Sequence, residues 1–360
     1  MFKNLDKGIL YTTLSLIFLG SLIFFSAALS GLKNIDFFAI IFFKQLLAIF
    51  LGLILFFLIL KYKKFSTLWI RRNSIFIFIS GLILQLLVLS PSLGLEYKGS
   101  KRWLDLEFIS IQPSEIFKYA LIIFFSAVVV TAGKKLKKME KFLIIGLFFT
   151  LPTVGFYAYI HDFGTLISIL LSFFTILLIS KSKNWHIFLI SILASVTIGF
   201  MTYSLFPYAK NRIDSYIFSN NLSYQNQQML YTIGSGELTG RGFGSSLQKY
   251  SGLLPEPLGD SIFPIYAEET GFIGSVILII LFTLLPFFIF KRSKKLKKPF
   301  DKMIVSGFTI LIIFPTFYNI SASIGIVPLS GMPITFISKG GTSIVMAIFI
   351  MGLILRITKK

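Results

Sequence analysis

Polar positions along this chain come in clusters, and long apolar runs lie between them. Neither the alternation of a half-buried strand nor the narrow stripe of a soluble amphipathic helix dominates. About 20 apolar residues are needed to cross about 30 Å of hydrocarbon. On that measure the pattern predicts ten membrane spans, at residues 8–29, 36–60, 73–91, 113–133, 142–160, 164–180, 185–206, 264–290, 303–327 and 342–357. The first is too long, and lacks a small-residue cleavage site, to be a removable signal peptide. No soluble domain is expected at either end. The expected architecture is a single all-α polytopic membrane domain over residues 1–360, with about ten transmembrane helices. A large extracytoplasmic loop, residues 207–263, falls between the seventh and eighth of them.

Composition narrows this further. The chain is 55% hydrophobic and only 14% charged, with a mean hydropathy of +0.83. That excludes a soluble globular enzyme and a disordered chain. Cysteine is absent and there are two histidines, so disulfides, thiolate chemistry and Cys-ligated metals are excluded, and a multi-His metal site has little to draw on. The net charge of +20 is read as membrane orientation and not as nucleic-acid binding. With the N-terminus inside, 24 of the 35 Lys and Arg fall in inside segments and 9 in outside loops, while Lys44 and Lys118 lie within spans. That bias predicts both termini in the cytoplasm. The runs KKLKKMEK and KRSKKLKK suit anionic cytoplasmic lipid as well as plain orientation anchoring.

The outside loops carry most of the specific polar chemistry, in four patches. In KGSKRWLDLEFISIQPSEIFK, residues 98–118, Pro113 fits a first helical turn. Glu115 and Lys118 then share a helix face at i, i+3. An ionisable pair at membrane depth faces a cavity or a structural partner. Arg102 suits phosphate, and Trp103 suits the interfacial belt. In HDFGT, residues 161–165, Asp162 or Thr165 reads first as a helix cap. In residues 224–274 the glycines lack the Lys-Ser/Thr pair of a nucleotide loop, so tight turns and close backbone approach explain them better. Arg212, Arg241 and Lys249 are available to an anionic head group. Asp260 follows the rigid LPEP stretch where the loop enters an apolar helix. It is either a general base with a raised pKa or the cap of the eighth span. Of Glu268 and Glu269, one is expected to face the bundle interior. In IGIVPLSGMPITFISKGGTS, residues 324–343, Pro328, Pro333 and Gly340-Gly341 break the apolar sequence. That predicts a broken or re-entrant segment lining a cavity, with Ser338 and Lys339 on its polar face.

Taken together, these motifs resemble the SEDS family (shape, elongation, division and sporulation; FtsW, RodA and SpoVE). The motifs are RW and QPSE-x-x-K at 102–118, DFGT at 162–165, IGSGEL-x-G-x-G-x-G-S-S-x-Q-K at 233–249, LPE at 254–256, D-x-I-F at 260–263, AEE-x-GFIG at 267–274 and P-x-x-FISKGGTS at 333–343. The resemblance runs over nearly the whole chain. GEL with GSSLQK and the KGGTS ending are more similar to the FtsW branch, which acts in cell division, than to RodA. Three departures stand out: Leu258-Gly259 precede the acid where many members read HTD, His161 stands where Gln is often found, and Lys339 replaces the Tyr of FISYGG.

The resemblance implies a peptidoglycan glycosyltransferase in the cytoplasmic membrane of a bacterium. It would polymerise lipid II at the outer face and release undecaprenyl pyrophosphate. Its implied partners are a class B penicillin-binding protein and the division or elongation machinery, and no nucleic acid. The family's essential acid maps onto Asp260, and its Glu and Lys of the QPSE helix map onto Glu115 and Lys118. Such chemistry needs a base near the acceptor hydroxyl and positive charge near the leaving pyrophosphate. Asp260 is the candidate base. Arg102, Arg212, Arg241, Lys249 and Lys339 are candidate pyrophosphate contacts, with Glu115, Lys118 and Ser338 in the substrate region. The resemblance establishes no cofactor. A divalent ion, Mg or Mn, held by Asp260 with Glu256 or Glu268 would help neutralise pyrophosphate, though no spacing establishes such a site. Two alternatives stand beside the enzyme: a flippase of polyprenyl-linked lipid, and a scaffold for a penicillin-binding protein.

Overall fold

The structure is a computed structural model that describes residues 5–33, 35–62, 66–90, 93–97, 100–105, 110–133, 136, 138–180 and 223–359. Among the described residues the helices are α1 (Lys7–Ala28), α2 (Ile35–Lys61), α3 (Thr67–Arg72), α4 (Ser74–Leu86), α5 (Pro113–Ala132), α6 (Met139–Tyr159), α7 (Phe163–Ile179), α8 (Tyr224–Gly234), α9 (Leu247–Ser251), α10 (Ile262–Ser293), α11 (Pro299–Ser323) and α12 (Gly341–Ile357). Helices occupy nine of the ten expected spans. The seventh, at 185–206, lies outside the described residues, as do Arg212 and the first part of the large loop. By length and apolar composition α1, α2, α5, α10 and α11 are long enough to cross a membrane. Four others, including α7 and α12, are shorter apolar helices.

Local signals set the helix starts. The Asp6 carboxylate accepts from the Gly8 and Ile9 amides at 3.1 and 3.3 Å and opens α1. Pro113 stands in the first turn of α5, where its missing N–H leaves no bond unmade. Asp162 caps α7 by accepting from Thr165 N at 3.3 Å. The α2–α12, α7–α11, α4–α5 and α1–α10 pairs form the main contacts of the bundle. Phe24, Phe56, Phe125, Phe282 and Phe308 are wholly buried between them. Other large apolar side chains, Phe18, Phe43 and Phe76 among them, point outward from α1, α2 and α4. A helix apolar on both its inner and outer faces is suited to hydrocarbon on one side and protein on the other.

Two features depart from the sequence expectation. Residues 94–111 contain a small antiparallel sheet, β1 (Gly94–Tyr97), β2 (Ser100–Asp105) and β3 (Ser110–Ile111), in that order. Its register pairs Leu95 with Trp103 and Leu104 with Ile111. Strands of two to six residues in a mixed polar patch leave little pattern in the sequence. The second is a break in α10. Gly271 takes φ 67° and ψ −166°, a conformation essentially reserved for glycine. The break opens backbone groups on both sides, and the loop before it supplies partners. Arg241 N and Gly242 N donate to Glu268 O and Glu269 O, both at 2.9 Å, and Phe272 N and Ile273 N donate to Glu237 O and Leu238 O at 2.9 and 3.2 Å. Gly240 is needed because a Cβ there would lie 2.3 Å from Glu269 O. The expected span at 264–290 is therefore two helical segments meeting at Gly271.

A substitution tests this splice. In Gly271→Ala the new Cβ would lie 2.4 Å from Gly240 N, on top of a backbone strain of about 1–3 kcal/mol. The variant is expected to lose at least that much stability in thermal unfolding of the detergent-solubilised protein. Melting unchanged from wild type would show that the break is not held as described.

Candidate functional site

The segment between α11 and α12, residues 324–340, is irregular yet deeply inserted, with Ile334, Phe336, Ile337 and Ser338 all buried. Irregular backbone at this depth requires partners inside the protein. They are present. Thr335 N donates to Thr316 Oγ1 at 3.1 Å and Thr335 Oγ1 to Ile312 O at 2.6 Å. Asn319 Nδ2 donates to Met332 O at 2.8 Å. Gln45 Nε2 reaches Ser338 O at 3.3 Å, and the Ser338 hydroxyl accepts from Ile334 N at 3.0 Å.

This segment holds the loop that carries Asp260. Ser338 Oγ donates to Gly259 O at 3.0 Å and Lys339 N donates to Leu258 O at 2.7 Å. Asn319 Nδ2 lies 3.4 Å from Asp260 O. The Asp260 carboxylate is half-buried and lies beside Gly331, 3.9 Å from where a Cβ would stand there. Ser261, not Asp260, occupies the N-cap position of α10, and its hydroxyl donates to Pro255 O at 2.5 Å. The capping explanation for Asp260 thus gives way. The loop that carries this acid is attached through the main-chain oxygens of Leu258, Gly259 and Asp260 itself.

The inner side of the same segment lines a cavity with about 460 Å³ of atom-free space, part of it open. Met332, Pro333, Ile334, Thr335 and Phe336 form one wall, and Glu115, Lys118, Thr165 and Ser168 face them. Lys118 Nζ bonds Glu115 Oε2 at 2.7 Å, with both side chains less than a tenth exposed. The i, i+3 spacing on α5 thus produces a buried pair that borders an internal polar space. Ser114 Oγ lies 3.4 Å from Asp162 Oδ2, tying α5 to the cap of α7.

The remaining cations sort differently. Arg102 on β2 donates to Ile160 O at 3.1 Å and His161 O at 2.5 Å, closing the carbonyl end of α6. Lys339 is exposed beside Asp260's loop. Lys249 is fully buried: its Nζ lies 2.6 Å from Glu269 Oε1 and 3.0 Å from both oxygens of Ser26. Glu269 also accepts from Ser26 Oγ at 2.6 Å. Glu268 accepts from Ser246 Oγ at 2.5 Å and Leu247 N at 3.2 Å, with Arg241 Nε at 3.6 Å. Both glutamates face inward, where the sequence expected one. Arg241 and Lys249 therefore belong to an ionic node that fastens the 235–251 segment to α1 and α10. Burial, then the Glu269 carboxylate, push the nearby Tyr250 hydroxyl above the ordinary tyrosine range. Among the described residues no group of three or more His, Asp or Glu is gathered for a metal ion. Glu268, one of the acids considered for that role, is already committed to Ser246 and Leu247.

Asn319, Gln45 and Ser26 were not singled out in the sequence. Each is a hydrogen-bonding side chain within an otherwise apolar span, and that is the signal by which they are found.

A helical bundle apolar toward its surroundings, with a buried ion pair and an inserted irregular segment lining one cavity, and an acid-bearing loop fastened to that segment, defines a multi-pass membrane protein with an internal site. The FtsW/RodA/SpoVE family model, described as cell cycle protein, matches residues 7–360. The chain belongs to this family. A relative from Coxiella burnetii, named probable peptidoglycan glycosyltransferase FtsW, is 29% identical over 365 residues, covering 98% of this chain and 95% of its own. One of the same name from Wigglesworthia glossinidia brevipalpis is 31% identical over 368 residues, covering 98% and 92%. Among solved structures, a chain from a peptidoglycan synthase complex that coordinates polymerization and crosslinking matches with a TM-score of 0.81 at 23% identity, over 98% of this chain and 97% of that one. The rod shape determining protein RodA of Thermus thermophilus matches with a TM-score of 0.70 at 22% identity, over 98% and 96%. Both structural likenesses concern the fold.

Proposed function

We propose that this chain is a peptidoglycan glycosyltransferase that polymerises lipid II at the outer face of the bacterial cytoplasmic membrane. Its large loop is extracytoplasmic and both termini are cytoplasmic, as the bias of basic residues requires. One observation carries the reading: Asp260 is held against the same inserted segment that walls the Glu115–Lys118 cavity. A loop acid and a cavity bordered by the Glu115–Lys118 pair thus meet at one structural element. That is where a lipid-linked sugar would present its reacting end.

In the reaction, the Asp260 carboxylate takes the proton of the acceptor 4-hydroxyl as that oxygen bonds to the anomeric carbon of the donor. The bond from that carbon to pyrophosphate breaks, and undecaprenyl pyrophosphate leaves with the electron pair. Lys339, exposed beside the acid, is the cation best located to balance the developing charge. Glu115 and Lys118 shape the inner end of the site. Arg241 and Lys249 act through the fold of the loop. The FtsW-type names of the relatives support a division role, working with a class B penicillin-binding protein that crosslinks the new strands.

A flippase is the second reading, and the buried Glu115–Lys118 pair at membrane depth favours it. The test is to purify the chain with its penicillin-binding partner and supply lipid II. Glycan polymer supports the proposal. Lipid II translocation in vesicles without polymer, lost on changing Glu115 or Lys118, would replace it by the flippase.

A further inference from the structure

The break at Gly271 divides α10 at a definite depth. Residues 262–270 are buried at almost every position, whereas beyond the break Phe272, Ile273, Ile277 and Ile280 are each more than half exposed. This outward stripe faces the bilayer. Lys291 and Arg292 end the helix and mark one membrane surface. From residue 272 to residue 291 the helix rises about 29 Å at 1.5 Å per residue, close to the full hydrocarbon thickness of about 30 Å. Gly271 therefore stands at the opposite boundary of the hydrocarbon.

The loop spliced into that break is fixed at the same level. Leu238 O accepts from Ile273 N at 3.2 Å and Glu237 O from Phe272 N at 2.9 Å. Leu238 is 67% exposed, with its main chain bonded at the level where the lipid-facing stripe begins. Three residues on, the Arg241 side chain is tethered through Nε to Ser235 O and Glu268 and remains 41% exposed. An apolar residue continuous with a lipid-facing stripe, followed by a cation one turn of chain away, matches the boundary between acyl chains and phosphate head groups.

We infer that the 238–241 turn is a phospholipid anchor. Leu238 enters the outer edge of the hydrocarbon beside Phe272 and Ile273, and Arg241 meets the phosphate of a surrounding lipid. The large loop is thereby seated on the bilayer surface as well as on the protein. This rests on the membrane-spanning fold and is independent of the reaction proposed above.

The absence of native cysteine makes the test direct. Leu238→Cys, with Ile277→Cys and Ser251→Cys as lipid and aqueous references, would carry a nitroxide in the full chain, reconstituted into vesicles of phosphatidylethanolamine and phosphatidylglycerol. Collision with oxygen relative to Ni(II)EDDA is expected to be several-fold higher at 238 than at 251, and close to that at 277. A ratio matching 251, or a label shielded from both agents, would overturn the anchor. Because the label itself perturbs the turn, the unsubstituted chain supplies a second measurement. A phosphatidylglycerol bearing a diazirine near the start of its acyl chain is expected to add to Leu238 or Phe272 on illumination. Adducts on Ile277 with none on those two residues would likewise refute it.

Discussion

Asp260→Asn is expected to lower glycan polymerisation by about 10²–10⁴-fold, the usual contribution of a general base, without unfolding the chain. The substitution keeps shape and hydrogen-bonding capacity and removes the ability to accept a proton at neutral pH. Main-chain contacts that the substitution leaves in place help to hold the loop. Leu258 O accepts from Lys339 N, Gly259 O from Ser338 Oγ, and Asp260 O lies within reach of Asn319 Nδ2. None of these three contacts uses the carboxylate. Lipid II polymerisation by the purified complex, beside a melting curve, separates chemistry from folding. Undiminished polymer from the Asn variant would remove Asp260 as the base.

Lys249→Ala is expected to cost about 3–5 kcal/mol of stability, the range for removing one partner of a buried ion pair. The pair is enclosed, with Lys249 at 0% and Glu269 at 2% side-chain exposure. Without the ammonium, the Glu269 carboxylate keeps only the Ser26 hydroxyl among its described partners. Lys249→Met combined with Glu269→Leu is expected to recover much of the loss, because the desolvation cost of both charges disappears with them. Thermal unfolding of the wild type and these two variants in detergent measures this. A Lys249→Ala protein that melts like wild type but has lost polymerisation would instead return Lys249 to the substrate, as its sequence position first suggested. The same logic separates it from Lys339, which is exposed and whose loss is expected to act on turnover.

Much of the frame was legible in advance because it rests on local rules. Hydrocarbon thickness fixes how long an apolar run must be, and helices occupy every expected span within the described residues. Pro113 opens α5, so Glu115 and Lys118 follow at a spacing that makes them neighbours on the helix. Asp162 caps α7 from the adjacent turn. The inserted segment at 324–343 declared itself by prolines and glycines within apolar sequence. Its wall on the Glu115–Lys118 cavity fits that expectation.

What was not legible depends on long-range pairing. Lys249 was read as a cation for substrate because the sequence does not reveal that Ser26, 223 residues away, and Glu269 enclose it. The role of Asp260 as a cap was open until Ser261 was seen at the cap position. The helix break at Gly271 follows Glu268, Glu269 and Thr270, but a glycine inside a long apolar run does not by itself say that the helix breaks there. It exists because the glycine loop at 237–242 supplies partners for the exposed backbone. By itself, then, the sequence determined the class of molecule, the membrane frame and the residue types available for chemistry, because burial in lipid and helix geometry act through local composition and spacing. Only the tertiary structure decided which charges are spent on holding the loop and which face the cavity. That choice is made by contacts between residues hundreds of positions apart, and charge alone is the same in either role.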